Sequence, residues 1–188
     1  DHQHDIFKQL DKLDQDLNKF KFEMKKYVRE VEKSYYEKSE EIYQLAKNET
    51  VKQKLDRHIF KNLLNNDTTR DVFISRVTQY ADWKYPGLQI HPAHGEITDS
   101  FINLDPFYLI DEDDNMFTQV KKKWNQQYQS RLRYYTIDDN DVSPFYKLPQ
   151  NQFGLIVAID WFNFKPMRLI EKYLKSMMEL LRPGGVAV

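Results

Sequence analysis

The sequence predicts an α/β protein in which a long N-terminal helix precedes a parallel sheet with flanking helices. Residues 1–64 contain no Gly or Pro and are dense in Lys, Glu, Asp and Gln, as a long exposed helix would be. From residue 86 onward, short apolar runs alternate with helical stretches, which argues for a parallel sheet built through right-handed crossovers. Nowhere does an apolar run approach the length needed to cross a bilayer.

The N-terminal segment places Ile6, Leu10, Leu13, Leu17, Phe20, Met24, Tyr27 and Val31 at alternating spacings of four and three. That is a heptad seam, with Leu10, Leu17, Met24 and Val31 at position a and Ile6, Leu13, Phe20 and Tyr27 at position d. Asp16 at g and Lys21 at the following e suit a parallel pairing. Residues 6–31 are therefore expected to bind a second copy of the chain or a helical protein partner. In the competing arrangement, residues 36–64 fold back over the seam. A second amphipathic stretch runs through Ile42, Leu45, Val51, Leu55, Ile59, Leu63 and Leu64.

Asn65-Asn66-Asp67-Thr68-Thr69 reads as a loop with a helix cap, and Asp71 to Tyr80 as a short helix. The first strand follows at Leu88-Gln89-Ile90 and runs through His91-Pro92-Ala93-His94-Gly95 into a helix expected over 98–103. Helix N-terminal amides after a strand are how α/β folds hold nucleotide-like ligands. Further strands are expected at Phe107–Asp111, Tyr134–Asp139, Leu155–Asp160 and Val186–Val188, with helices over 115–131 and 166–181. The near-continuous apolar run from Leu155 to Ile159 marks a central strand buried on both faces.

Composition excludes several functions. A net charge of −1 with 30% charged residues gives no basic field, so nucleic acid is not supported as a partner. With no cysteine there is no disulfide framework, thiolate metal site or cysteine nucleophile. His91 and His94 lack a convincing third ligand, so no metal is assigned. Without a signal segment or membrane span, the chain is expected in the cytoplasm or within a larger assembly. Lys121-Lys122-Lys123 with Trp124, Arg131 and Arg133, interleaved with Tyr128, Tyr134 and Tyr135, reads as the solvated face of a helix or as a grip for a phosphate-bearing ligand.

Gly95-Glu96-Ile97-Thr98, Asp111, Asp138-Asp139, Leu148-Pro149, Phe153 and the Leu181-Arg182-Pro183-Gly184-Gly185 turn occur in one order along residues 86–188. This order resembles the class I S-adenosylmethionine-dependent methyltransferases, a family with a Rossmann-like sheet. The resemblance implies S-adenosylmethionine as cofactor, with Asp111 on the ribose, Asp138 and Asp139 near the adenine, and Asp160-Trp161-Phe162-Asn163 where the methyl acceptor is placed. The family's first acid falls on Gln89, its first glycine on His91 and its second on Ala93, and Gly95 alone survives of the glycine-rich turn. Glycine serves there because it accepts positive φ and lets backbone approach a ligand.

The resemblance thus divides the chain into a helical, oligomerising region (1–66) and a partial Rossmann-like methyltransferase domain (67–188), which is expected to continue beyond Val188. It implies methyl transfer to an acceptor by positioning two partners for in-line attack, with no catalytic residue assigned. The alternative is a structural or assembly protein that works through its coiled coil and keeps a non-catalytic methyltransferase-like domain. A dinucleotide-binding domain is disfavoured by the missing Gly-x-Gly-x-x-Gly.

Overall fold

The computed structural model describes residues 2–56 and 67–188. The chain divides into two compact units, Asp1–Glu41 and Ile42–Val188. The boundary expected near residues 65–70 falls in part on 57–66, outside the described residues, as do Ile59, Leu63, Leu64, Asn65 and Asn66.

The first unit is helical throughout. Helix α1 (His2–Lys47) runs unbroken for 46 residues, and all eight residues of the heptad seam are between 44% and 64% exposed. Residues 36–47 of the segment expected to fold back prolong α1, and residues 57–64 of it lie outside the described residues.

The second unit begins with the last turns of α1. Their buried side chains are Tyr43 and Ala46, while Ile42 and Leu45 point outward, a different face from the expected one. Helix α2 (Val51–Asp56) buries Leu55, and α3 (Asp67–Thr78) replaces the shorter helix expected from Asp71. The five strands β1 (Gly87–Ile90), β2 (Phe107–Asp111), β3 (Leu132–Thr136), β4 (Phe153–Ala158) and β5 (Leu181–Ala187) form one sheet in the order β3-β2-β1-β4-β5. Each neighbouring pair is parallel.

One face of the sheet packs Leu88, Ile90, Ile110 and Ile156 against Leu169, Tyr173, Met177 and Leu180 of α6 (Met167–Leu180), with Tyr43 in the same cluster. The other face packs Leu109, Leu155 and Val157 against Val77 of α3, Phe101 and Val120. Between β4 and β5 the Pro-Gly-Gly turn bulges out of the ladder. A Cβ on Gly185 would lie 2.5 Å from the Phe153 carbonyl oxygen, so this close crossing admits only glycine.

Two expected helices are shorter than the sequence pattern suggested. The 98–103 segment is a single 3-10 turn, Thr98–Phe101. The 115–131 segment breaks into a 3-10 turn, Asp114–Phe117, and the short helices α4 (Thr118–Lys121) and α5 (Gln126–Gln129), each ended before it can lengthen by Lys122 to Asn125 and by Ser130 to Arg131. No described helix is long and apolar enough to cross a membrane.

Strand β4 lies between β1 and β5, and Ile156 is fully buried. Ile156→Ala should cost about 2–5 kcal/mol, the range for truncating a buried Leu or Ile. Urea unfolding followed by circular dichroism checks this, and an unshifted midpoint would remove β4 from the centre of the core.

Candidate functional site

In an open parallel sheet, ligands bind outside the carboxyl ends of the strands where the strand order reverses. Here the reversal lies between β1 and β4, so the loops after β1, β2, β3 and β4 define the candidate site.

The β1 loop keeps the backbone of a glycine-rich turn with Gly95 as its one glycine. His91, Ala93 and Gly95 have φ of 57°, 50° and 76°, all left-handed. For the two non-glycine residues that conformation costs on the order of 1–2 kcal/mol each, so their side chains must be held by specific contacts. His91 Nδ1 lies 2.9 Å from Asp111 Oδ2. Ala93 is fully buried in a small apolar cluster with Leu55 of α2 and Met116. From outside, Lys123 Nζ donates to the Gly95 carbonyl oxygen at 2.6 Å and pairs with Asp99 at 2.7 Å. Trp124 Nε1 also donates to Asp99, at 2.6 Å. The basic stretch therefore latches the β1 loop. Gln89 is buried and accepts a 2.7 Å hydrogen bond from Thr98 Oγ1, a neutral pairing where the family has an acid.

Asp111 ends β2, as the pattern requires, and is 3% exposed. Its Oδ1 accepts the Glu112 amide at 2.8 Å, and its Oδ2 faces His91. Each oxygen that would take a ribose hydroxyl thus has one protein partner and keeps a further lone pair. Asp138 is exposed and folds an Asx turn onto the Asn140 amide at 2.8 Å. Asp160, at φ 60°, accepts from Asn163 Nδ2, while its Oδ2 is buried without a hydrogen-bond partner among the described residues. Trp161 is core, packed edge-on against Tyr173 with ring centroids 4.3 Å apart.

Asp139 lines the same hollow as Asp138 and is held by an internal network. It is buried and accepts hydrogen bonds from Tyr43 Oη at 2.8 Å and from Tyr173 Oη. Lys165 Nζ lies 3.1 Å from its Oδ2 and also bonds Glu112. The same ammonium group stands 4.5 Å from the Trp161 ring centroid. Burial raises the Asp139 carboxyl, but Lys165 and the two tyrosine hydroxyls outweigh it and hold the group below the usual carboxylate range. Burial and the hydrogen bonds to Asp139 push both phenols far above the ordinary tyrosine range, so they remain donors.

Tyr43, Lys165 and Tyr173 escaped the sequence reading. One signal was present: Lys165 stands one residue before the N-cap of α6, near the positive end of the helix dipole, so a lysine there calls for an acidic partner.

What remains of the cleft is a cavity of about 50 Å³, lined by His91, Asp111 and Asp160 on the sheet side and by Tyr43, Lys54 and Lys165 around it. Cofactor pockets run to about 300–1,000 Å³. A second hollow of about 460 Å³ lies beside Asp138 and Asn140, but neither Gly95 nor Asp111 lines it. The hollow beside Asp111 is too small in this structure to hold S-adenosylmethionine by itself, while Lys47, Lys54 and Glu112 line both hollows.

No protein-family model matches the sequence, and no curated protein does. Among solved structures, a SAM-dependent methyltransferase from Leishmania major aligns at 17% identity and a TM-score of 0.52, over 81% of this chain and 59% of that one. A candidate S-adenosyl-L-methionine-dependent methyltransferase from Methanococcus maripaludis aligns at 13% identity and 0.51, over 73% and 60%. The chain thus has a class I methyltransferase fold, and it spans about three fifths of the length of these two structures.

Lys165→Met would leave Asp139 buried without its cation, and removing one partner of such a pair costs about 3–5 kcal/mol; chemical denaturation measures it. Because the folded Asp139 carboxyl is held below its unfolded value of about 3.9, its stabilisation is present above that pH and is lost as the pH falls through the folded value. Unfolding free energies measured from about pH 6 to about pH 2 should therefore fall less steeply in Asp139→Asn than in the wild type.

Proposed function

We propose that the Ile42–Val188 unit is a methyltransferase-like scaffold that does not use S-adenosylmethionine. The observation supporting this is the state of Asp111: one oxygen takes a backbone amide and the other His91, in a cavity of about 50 Å³. Ala93 strengthens the reading, since its Cβ packs on Leu55 where backbone would otherwise approach a ligand. On this reading the carboxyl edge of the sheet holds the protein's own segment, residues 43–55, in place of a cofactor. A structural or assembly role then falls to surfaces outside the cleft, and fold alone does not oppose it.

A second reading, an S-adenosylmethionine-dependent methyltransferase acting on some acceptor, draws support from the left-handed conformations at His91, Ala93 and Gly95 and from an acid at the end of β2.

Titration calorimetry of the full chain with S-adenosylmethionine separates the two. The scaffold reading expects no saturable heat in the wild type up to millimolar cofactor. Saturable binding that weakens about tenfold to a hundredfold in Asp111→Ala, the loss expected for a charge-assisted contact of roughly 1.5–3 kcal/mol, and that survives His91→Gly, would establish the enzyme's cofactor site and overturn the scaffold.

A further inference from the structure

A helix stays ordered in water chiefly by burying an apolar stripe. The stripe of α1 is continuous over residues 6–31, and every member of it is exposed. Apolar residues repeating every three and four positions along one helix describe a coiled-coil seam, and the charges flanking that seam select its partner.

We propose that α1 pairs in parallel, in register, with α1 of a second copy of this chain; the inference does not rest on the reading of the cleft. The argument comes from the g and e positions. The g positions from the second heptad onward are Asp16, Glu23, Glu30 and Glu37, all acidic. In an antiparallel pair, g faces g, so these acids would stand against one another along the whole seam, a repulsive arrangement. In a parallel pair, each g faces the following e of the partner. Asp16 then meets Lys21, Glu23 meets Val28 and Glu30 meets Tyr35, with no acid opposite an acid. Val28 and Tyr35 are themselves 46% and 58% exposed and extend the apolar surface beside the seam. Lys26 and Lys33 reach forward along their own helix to Glu30 and Glu37, at 3.9 and 3.8 Å, and offset part of the charge of the acidic row. A second copy paired in parallel sets each Asp16 against the other chain's Lys21 and no acid against an acid, so the sequence of α1 complements itself in that direction.

The full chain is the material for the test. Mass in solution by sedimentation equilibrium should be a concentration-dependent multiple of the monomer. Leu13→Asp with Leu17→Asp should return it to monomer and lower the helical circular dichroism contributed by α1, while the unfolding midpoint of the second unit stays unchanged. Because the chain has no cysteine, Leu10→Cys reports direction: mild oxidation should cross-link it into a covalent dimer, since only a parallel, in-register pair brings residue 10 beside its counterpart. A wild-type monomer at all concentrations, an oligomer that survives the double substitution, or an oligomer in which Leu10→Cys fails to cross-link would each overturn the proposal.

Discussion

A charged carboxylate buried in an apolar face must be compensated, and the groups that compensate Asp139 set the shape of the sheet's carboxyl edge. Lys165 supplies the opposite charge from the start of α6, Tyr173 supplies a hydroxyl from two turns further along that helix, and Tyr43 supplies another from the end of α1. Leaving such a carboxylate unpaired would cost several kcal/mol, so the three side chains are drawn to one point. Once there, they bring Ala46 and α2 over the mouth of the β1 loop. The small cavity follows from that convergence. A cleft with no buried acid at this position would have no electrostatic reason to hold Tyr43 inward.

The β1 loop shows the same logic in the backbone. Left-handed φ at non-glycine residues persists only where surrounding contacts over-determine it. His91 is held by Asp111 and Ala93 by Leu55 and Met116. Neither contact could be made by glycine. The substitutions that keep the turn's shape are thus the ones that fill its space, and the turn passes from contacting a ligand to contacting the protein.

Much of the fold was legible in the sequence because its strands are apolar runs with sharp ends. The limits of β2 agree residue for residue, and the Leu155 to Ile159 run located the central strand. The helices read less well. Hydrophobic spacing over 115–131 matched one long helix, whereas Asn125 caps a new start and divides the segment. The buried face at the end of α1 was misplaced because Ile42 and Leu45 are the more hydrophobic pair, yet Tyr43 reaches Asp139 and so fixes the rotation of the helix. At the site, the left-handed turn was readable from the family pattern. The network around Asp139 was not, since its members lie as far apart as residues 43 and 173 and no local spacing connects them.

The two units solve the problem of apolar surface in opposite ways. In Ile42–Val188, the sheet buries one face under α6 and Tyr43 and the other under α3 and the short helices, so most residues of β1, β2 and β4 find their cover within the unit. In Asp1–Glu41, one helix carries the whole unit, and a single helix cannot cover its own stripe. The chain encodes the difference in its spacing. Period-two and continuous apolar runs close on themselves through a sheet, whereas a stripe repeating at three and four residues offers a face that only another helix can match.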